Sequence, residues 1–183
     1  MLRLLVQSLG LAVLALTLAN PVTAQPTTFD PREVKAVFLL NFVQFVDWPS
    51  SAFDGPDAPI VIGVLGDDPF GNLLDDVVRG EVVKGRQVTV ARFRRVEDIK
   101  TCHVLFVSPS EVAINDRILT VLSKRPTLTV GETESFTAHG MVRFLTERNR
   151  IRLEVNPALA KSAGLTISSN LLRAARIVVT PQG

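Results

Sequence analysis

The sequence predicts an α/β fold, a Rossmann-like layered sandwich with a mostly parallel central sheet, one antiparallel hairpin and helices on both faces. Three observations predict it. Residues 60–65 and 103–107 are short and almost continuously apolar, as strands covered on both faces of a parallel sheet are. Helix starts of one kind alternate with such strands: Asp30-Pro31, Asp68-Pro69, Ser108-Pro109 and Asn156-Pro157 each set a capping side chain before a proline suited to a first helical turn. Residues 141–147 and 151–155 flank Arg148-Asn149 as the arms of an antiparallel hairpin. Strands that alternate with helices imply right-handed crossovers.

Taken in order, Arg3, the apolar run over 9–19, Pro21 and the small residues of Val22-Thr23-Ala24 form a cleavable secretory signal peptide over residues 1–24. It is too short for a membrane anchor. Residues 25–183 are then expected as one domain in the periplasm, not membrane-spanning after cleavage. A helix is predicted over 31–48, with Glu33 completing a capping box. Further helices are predicted over 69–79, 110–124, 132–138, 157–163 and 169–179. Residues 87–93 alternate more than the other strands and belong nearer a sheet edge, and 127–130 form a fourth strand. A two-residue hairpin turn places Arg143 opposite Glu154 and Phe144 opposite Leu153.

Composition narrows the chemistry. One Cys excludes an internal disulfide framework and a Cys-rich zinc module. A net charge of +2 is an excess of two charges rather than a patch, which argues against a nucleic-acid partner. Arg92, Arg94 and Arg95 read as a solvated strand end. No G-x-S-x-G elbow occurs, and the glycine spacing over 80–86 ends in Gly85-Arg86-Gln87, without the Lys and hydroxyl of a phosphate loop. Cys102 and His103 are neighbours on a strand and point to opposite faces, so they do not chelate together. No catalytic residue, cofactor or metal is expected, and His103 reads as a satisfied side chain at the start of a buried strand.

Four candidate features remain. Gly66, Asp67, Asp68, Phe70 and Gly71, with Ser108, outline a small-ligand crevice at strand ends, where α/β folds bind. A capped strand–helix turn accounts for the same residues. Arg173 and Arg176, with Asn170, form a basic stripe on the last helix, against a solvated face as the plain alternative. Cys102 is either buried and inert or a free thiol able to pair with another chain. In the first helix, eleven of the fifteen residues over 34–48 are apolar. Phe38, Phe42 and Phe45 form a core ridge, while Val37, Leu40 and Trp48 project near the thin polar stripe of Asn41, Gln44 and Asp47. Those three are candidate interface residues, unless a neighbouring loop or helix covers them.

The string from Val34 to Pro49, VKAVFLLNFVQFVDWP, resembles the opening helix of the YfiR family. So do Gly63-Val64-Leu65-Gly66-Asp67-Asp68-Pro69-Phe70-Gly71, the Gly85-Arg86 turn, Cys102-His103-Val104-Leu105-Phe106-Val107-Ser108 and Leu128-Thr129-Val130-Gly131, in the family's order. Ala163-Gly164-Leu165, Ile167-Ser168-Ser169 and Leu171-Leu172-Arg173 continue the match. The resemblance implies a periplasmic, non-enzymatic regulator. Such a protein represses an inner-membrane diguanylate cyclase by binding its periplasmic part, lowering cyclic di-GMP, exopolysaccharide and biofilm. It further implies an outer-membrane lipoprotein able to sequester the regulator, and the regulator itself is expected as a homodimer. A periplasmic ligand-sensing domain built on the Gly66–Gly71 crevice is the other reading. Two departures stand out. Only Cys102 matches the cysteine pairs of well-known members, so no intramolecular disulfide is available. His139-Gly140 stands where relatives tend to carry two glycines.

Overall fold

The computed structural model describes residues 29–178. Helix α1 spans Pro31–Phe45 and starts as predicted, with the Asp30 carboxylate accepting the Arg32 N–H at 2.8 Å and Pro31 at the first position. It stops three residues early. Val46–Asp47 turn into a short strand, β1, because the residue before Pro49 disfavours helical backbone. Strands β2 (Ile60–Leu65), β3 (Val82–Val83), β4 (Arg86–Phe93), β5 (Val104–Val107), β6 (Leu128–Gly131), β7 (Val142–Glu147) and β8 (Arg150–Val155) follow, then β9 (Thr166–Ile167) and β10 (Arg176–Ile177). Helices α2 (Asn72–Val78), α3 (Asn115–Leu122), α4 (Pro157–Ser162) and α5 (Ser169–Ala174) lie between them.

The main sheet runs β3-β4-β2-β5-β6-β7-β8-β10, while β1 and β9 pair antiparallel beside it. Strands β4, β2, β5, β6 and β7 are parallel throughout. The chain leaves β2, forms β4 on one side and returns to β5 on the other, so the order reverses between β2 and β5. The strand over Arg86–Phe93 lies one place from the edge, as its alternation implies. The hairpin has its predicted register, Arg143 opposite Glu154 and Phe144 opposite Leu153. Arg148 and Asn149 hold φ of 48° and 57°, the left-handed backbone of a type I′ turn.

Apolar side chains fill both faces of the sheet. On one face, α1 lays Phe42 against Phe144, with ring centroids 6.0 Å apart, and Phe38 stacks beside both. On the other, Ile118, Leu119 and Leu122 of α3 meet Leu65, Leu105, Val107 and Phe136. Lys35 points inward from α1 and pairs with Glu132 at 2.6 Å, which offsets the cost of its burial.

Four more predicted helices are corrected. Over 110–124 the Ser108 cap opens a 3-10 helix at Pro109–Ile114, and the α-helix begins only at Asn115. After Asp68-Pro69 the helix waits until Asn72. The Asp68 carboxylate caps the Phe70 N–H at 2.8 Å instead, closing a tight turn that drops Phe70 into the core. Residues 132–138 form only a 3-10 turn at Phe136–Ala138, since the Phe136 ring must lie between Gly131 and Gly140. The last helix ends at Ala174, and Arg176–Ile177 extend along the open edge of β8, whose free backbone groups they pair.

Candidate functional site

The ends of β2 and β5 meet at the strand-order reversal, so the sequence-predicted crevice is in the expected place. Protein fills it. Gly66, at φ +86°, donates its N–H to the Phe93 carbonyl at 3.0 Å, and a Cβ there would lie 2.5 Å from the Ser110 hydroxyl and 2.7 Å from the Glu111 carboxylate. The Asp67 N–H donates to Ser110 Oγ at 3.0 Å. The Ser108 hydroxyl caps the Ser110 N–H at 3.4 Å. Phe70 stacks edge-on against Phe106 in the core, 4.9 Å between centroids. Arg92, expected as part of a solvated strand end, clamps the turn: it donates to Asp68 at 2.7 Å, Asp75 at 2.5 Å and the Gly71 carbonyl at 2.9 Å. The arginine hydrogen bonds hold the Asp75 carboxyl below its usual range. These contacts make a capped, self-satisfied turn.

Cys102 is buried, and desolvation pushes its thiol up to about 12, so the reactive thiolate is suppressed. His103 beside it is 1% exposed and only half satisfied. Its Nδ1 accepts the Val61 N–H at 3.0 Å, which puts the ring proton on Nε2, and among the described residues Nε2 makes no hydrogen bond of normal geometry, with the Ala52 backbone as its polar neighbour. The ring stacks on Phe53 at 4.5 Å and meets the edge of Trp48 at 5.9 Å, while the Arg86 guanidinium lies 4.0 Å over Phe53. Burial pulls the His103 pKa below its ordinary value and the Arg86 charge adds to this. The Ala52 backbone and Asp54 carboxylate act in the opposite direction. With the folded value below the unfolded one, the stabilisation is complete above about pH 6.5 and declines as pH falls towards the folded value. The thermal midpoint is therefore expected to drop between neutral pH and mildly acid pH. In His103→Gln that slope should flatten. An unchanged slope in the variant would remove His103 as its source.

The candidate interface on α1 divides. Val37 is 46% exposed, whereas Leu40 is 9% exposed and belongs to the core cluster. Trp48 lies beyond the helix end, so helical spacing misplaces it. Its indole N–H donates to the His103 carbonyl at 3.2 Å. What α1 leaves open is a shallow apolar groove of about 350 Å³ between Glu33, Val34, Val37, Phe38 and Asn41.

The basic stripe is also rebuilt. Arg173 sits on α5 and bonds to Asn170, but Arg176 lies on β10, paired with Glu154 at 3.2 Å and Glu147 at 3.3 Å. It joins a set that composition conceals. On the outer side of the hairpin, Arg143, Arg148, Arg150, Arg152 and Arg176 gather with Glu147 and Glu154, the acidic partners these arginines find among the described residues. Five arginines against two glutamates leave three net positive charges, more than the +2 of the whole chain, so the charge excess is a patch after all. The period-two spacing of Arg150 and Arg152 carried that signal in the sequence. Among the described residues, no group of three or more His, Cys, Asp or Glu is gathered to hold a metal, and no helix is long and apolar enough to cross a membrane.

The model of the YfiR/HmsC-like family matches residues 32–176, from the first turn of α1 to the start of β10. The chain belongs to the YfiR/HmsC-like family. The match spans every block quoted above and both faces of the sheet. At the family level it supports a periplasmic, regulatory and non-catalytic role in diguanylate cyclase signalling. A comparison with curated proteins returns no match. The signal peptide read over residues 1–24 lies outside the described residues.

Proposed function

We propose that this YfiR/HmsC-like chain is a secreted periplasmic repressor, processed after Ala24, that holds one inner-membrane diguanylate cyclase inactive by binding its periplasmic part. Family membership over 32–176 carries the reading. The open groove of Val34, Val37 and Phe38 supplies a surface for it, since exposed apolar strips on folded proteins commonly mark contacts. The same strip serves a homodimer or the cyclase, and an outer-membrane lipoprotein that sequesters the chain would release the enzyme. Lower cyclic di-GMP, exopolysaccharide and biofilm follow from repression.

Deleting the gene should raise cyclic di-GMP, and re-expression should restore it. Val37→Asp places a charge in the groove without entering the core, so folding stability should stay within about 0.5 kcal/mol. The variant should fail to repress. Unchanged cyclic di-GMP after deletion would defeat the cyclase reading, and normal repression by folded Val37→Asp would remove the groove from it.

A further inference from the structure

We propose that the outer face of the β7–β8 hairpin is a docking surface for the anionic phospholipid headgroups of a membrane. Both glutamates on this face are already neutralised: Glu154 takes Arg143 at 3.0 Å and Arg176 at 3.2 Å, and Glu147 takes Arg176 at 3.3 Å. That leaves Arg148, Arg150 and Arg152 exposed, with no acidic partner among the described residues. With Glu147 they line an open hollow of about 820 Å³ at the hairpin tip.

The turn does not explain them. Arg148 holds φ +48°, a backbone that Asn or Gly adopts at less cost, so its side chain gains nothing locally from the position. Arg150 and Arg152 are two residues apart on one strand and project from one face about 7 Å apart. Their guanidinium forks suit phosphate oxygens better than a point ammonium would.

The composition of the face favours a membrane over a protein. Protein interfaces do enrich Arg, but they set it beside aromatic and Met anchors around an apolar centre. Here the centre is arginine, with Leu145 as the half-buried apolar member. An extended anionic surface instead meets several spaced cations at once, each adding roughly fivefold to binding at low salt. The patch lies away from the α1 groove in sequence and in the fold, and the inference stands whether or not a cyclase is the target.

The test is co-sedimentation of the chain from Gln25 onward, which carries the whole described fold, with vesicles of phosphatidylcholine alone or mixed with phosphatidylglycerol. Binding should require phosphatidylglycerol and vanish at high salt. Arg148→Gln/Arg150→Gln/Arg152→Gln should weaken it about a hundredfold while retaining the wild-type circular dichroism. The triple lysine variant, which keeps the charge, should retain most of the binding. Should the glutamine variant unfold, Arg150→Glu alone replaces it and should still weaken binding. Equal binding to phosphatidylcholine, or undiminished binding by a folded charge-removed variant, overturns the proposal. So does saturation of the face by soluble glycerol phosphate with no vesicle binding, which would make it a free-phosphate site. Binding of neither vesicle overturns it too.

Discussion

Asp in place of Leu40 should abolish folding, although the neighbouring Val37→Asp should fold normally. Leu40 belongs to the core cluster with Phe42, Phe144, Leu165 and Leu171, so an aspartate there loses its water among apolar neighbours. An uncompensated buried charge, with the lost leucine packing added, costs about 4 kcal/mol or more. That is a large share of the roughly 5–15 kcal/mol by which domains of ordinary size are stable. Chemical denaturation should find Leu40→Asp largely unfolded without denaturant. A folded Leu40→Asp protein of near wild-type stability would show that this side of α1 opens to water.

The second large effect is expected around Phe136, whose ring is 1% exposed and gripped between two glycines. A Cβ at Gly131 would lie 2.3 Å from the ring and one at Gly140 2.2 Å from it, so neither position accepts a methyl while the ring stays. Phe136→Ala should cost about 3–5 kcal/mol through lost burial and the cavity left behind. Gly140→Ala should cost up to about 3 kcal/mol through overpacking, because Gly131 behind the ring leaves it nowhere to retreat. In the double variant the two costs should not add, as removal of the Phe136 ring makes room for the new methyl. Additive losses, read from urea midpoints, would contradict the grip. The same geometry accounts for the chain's departure at His139-Gly140. His139 is exposed with φ −130° and tolerates a side chain, whereas Gly140 lies against the ring.

Much of the architecture follows from the sequence alone, because its signals are local. The caps at Asp30, Ser108 and Asn156 act within three residues of themselves. The apolar runs of β2 and β5 announce strands covered on both faces. The two-residue turn sets every pairing of the hairpin, from Val142 opposite Val155 to Glu147 opposite Arg150. The ordered family blocks are likewise linear, and the family match runs along nearly all of the described chain.

The tertiary structure decided where local rules compete with distant partners. Helical spacing assigns Leu40 and Trp48 to one surface, but the helix stops at Phe45, Leu40 enters the core and Trp48 closes on His103. Spacing of three assigns Asn170, Arg173 and Arg176 to one helix face, yet the unpaired edge of β8 draws Arg176 into the sheet. The crevice at Gly66 to Gly71 has the right place in the chain, and side chains from residues 92, 110 and 111 occupy it. A net charge of +2 suggests no patch, because a sum over the chain is blind to position. Only the pairing of β7, β8 and β10 reveals which arginines find a carboxylate and which are left facing water.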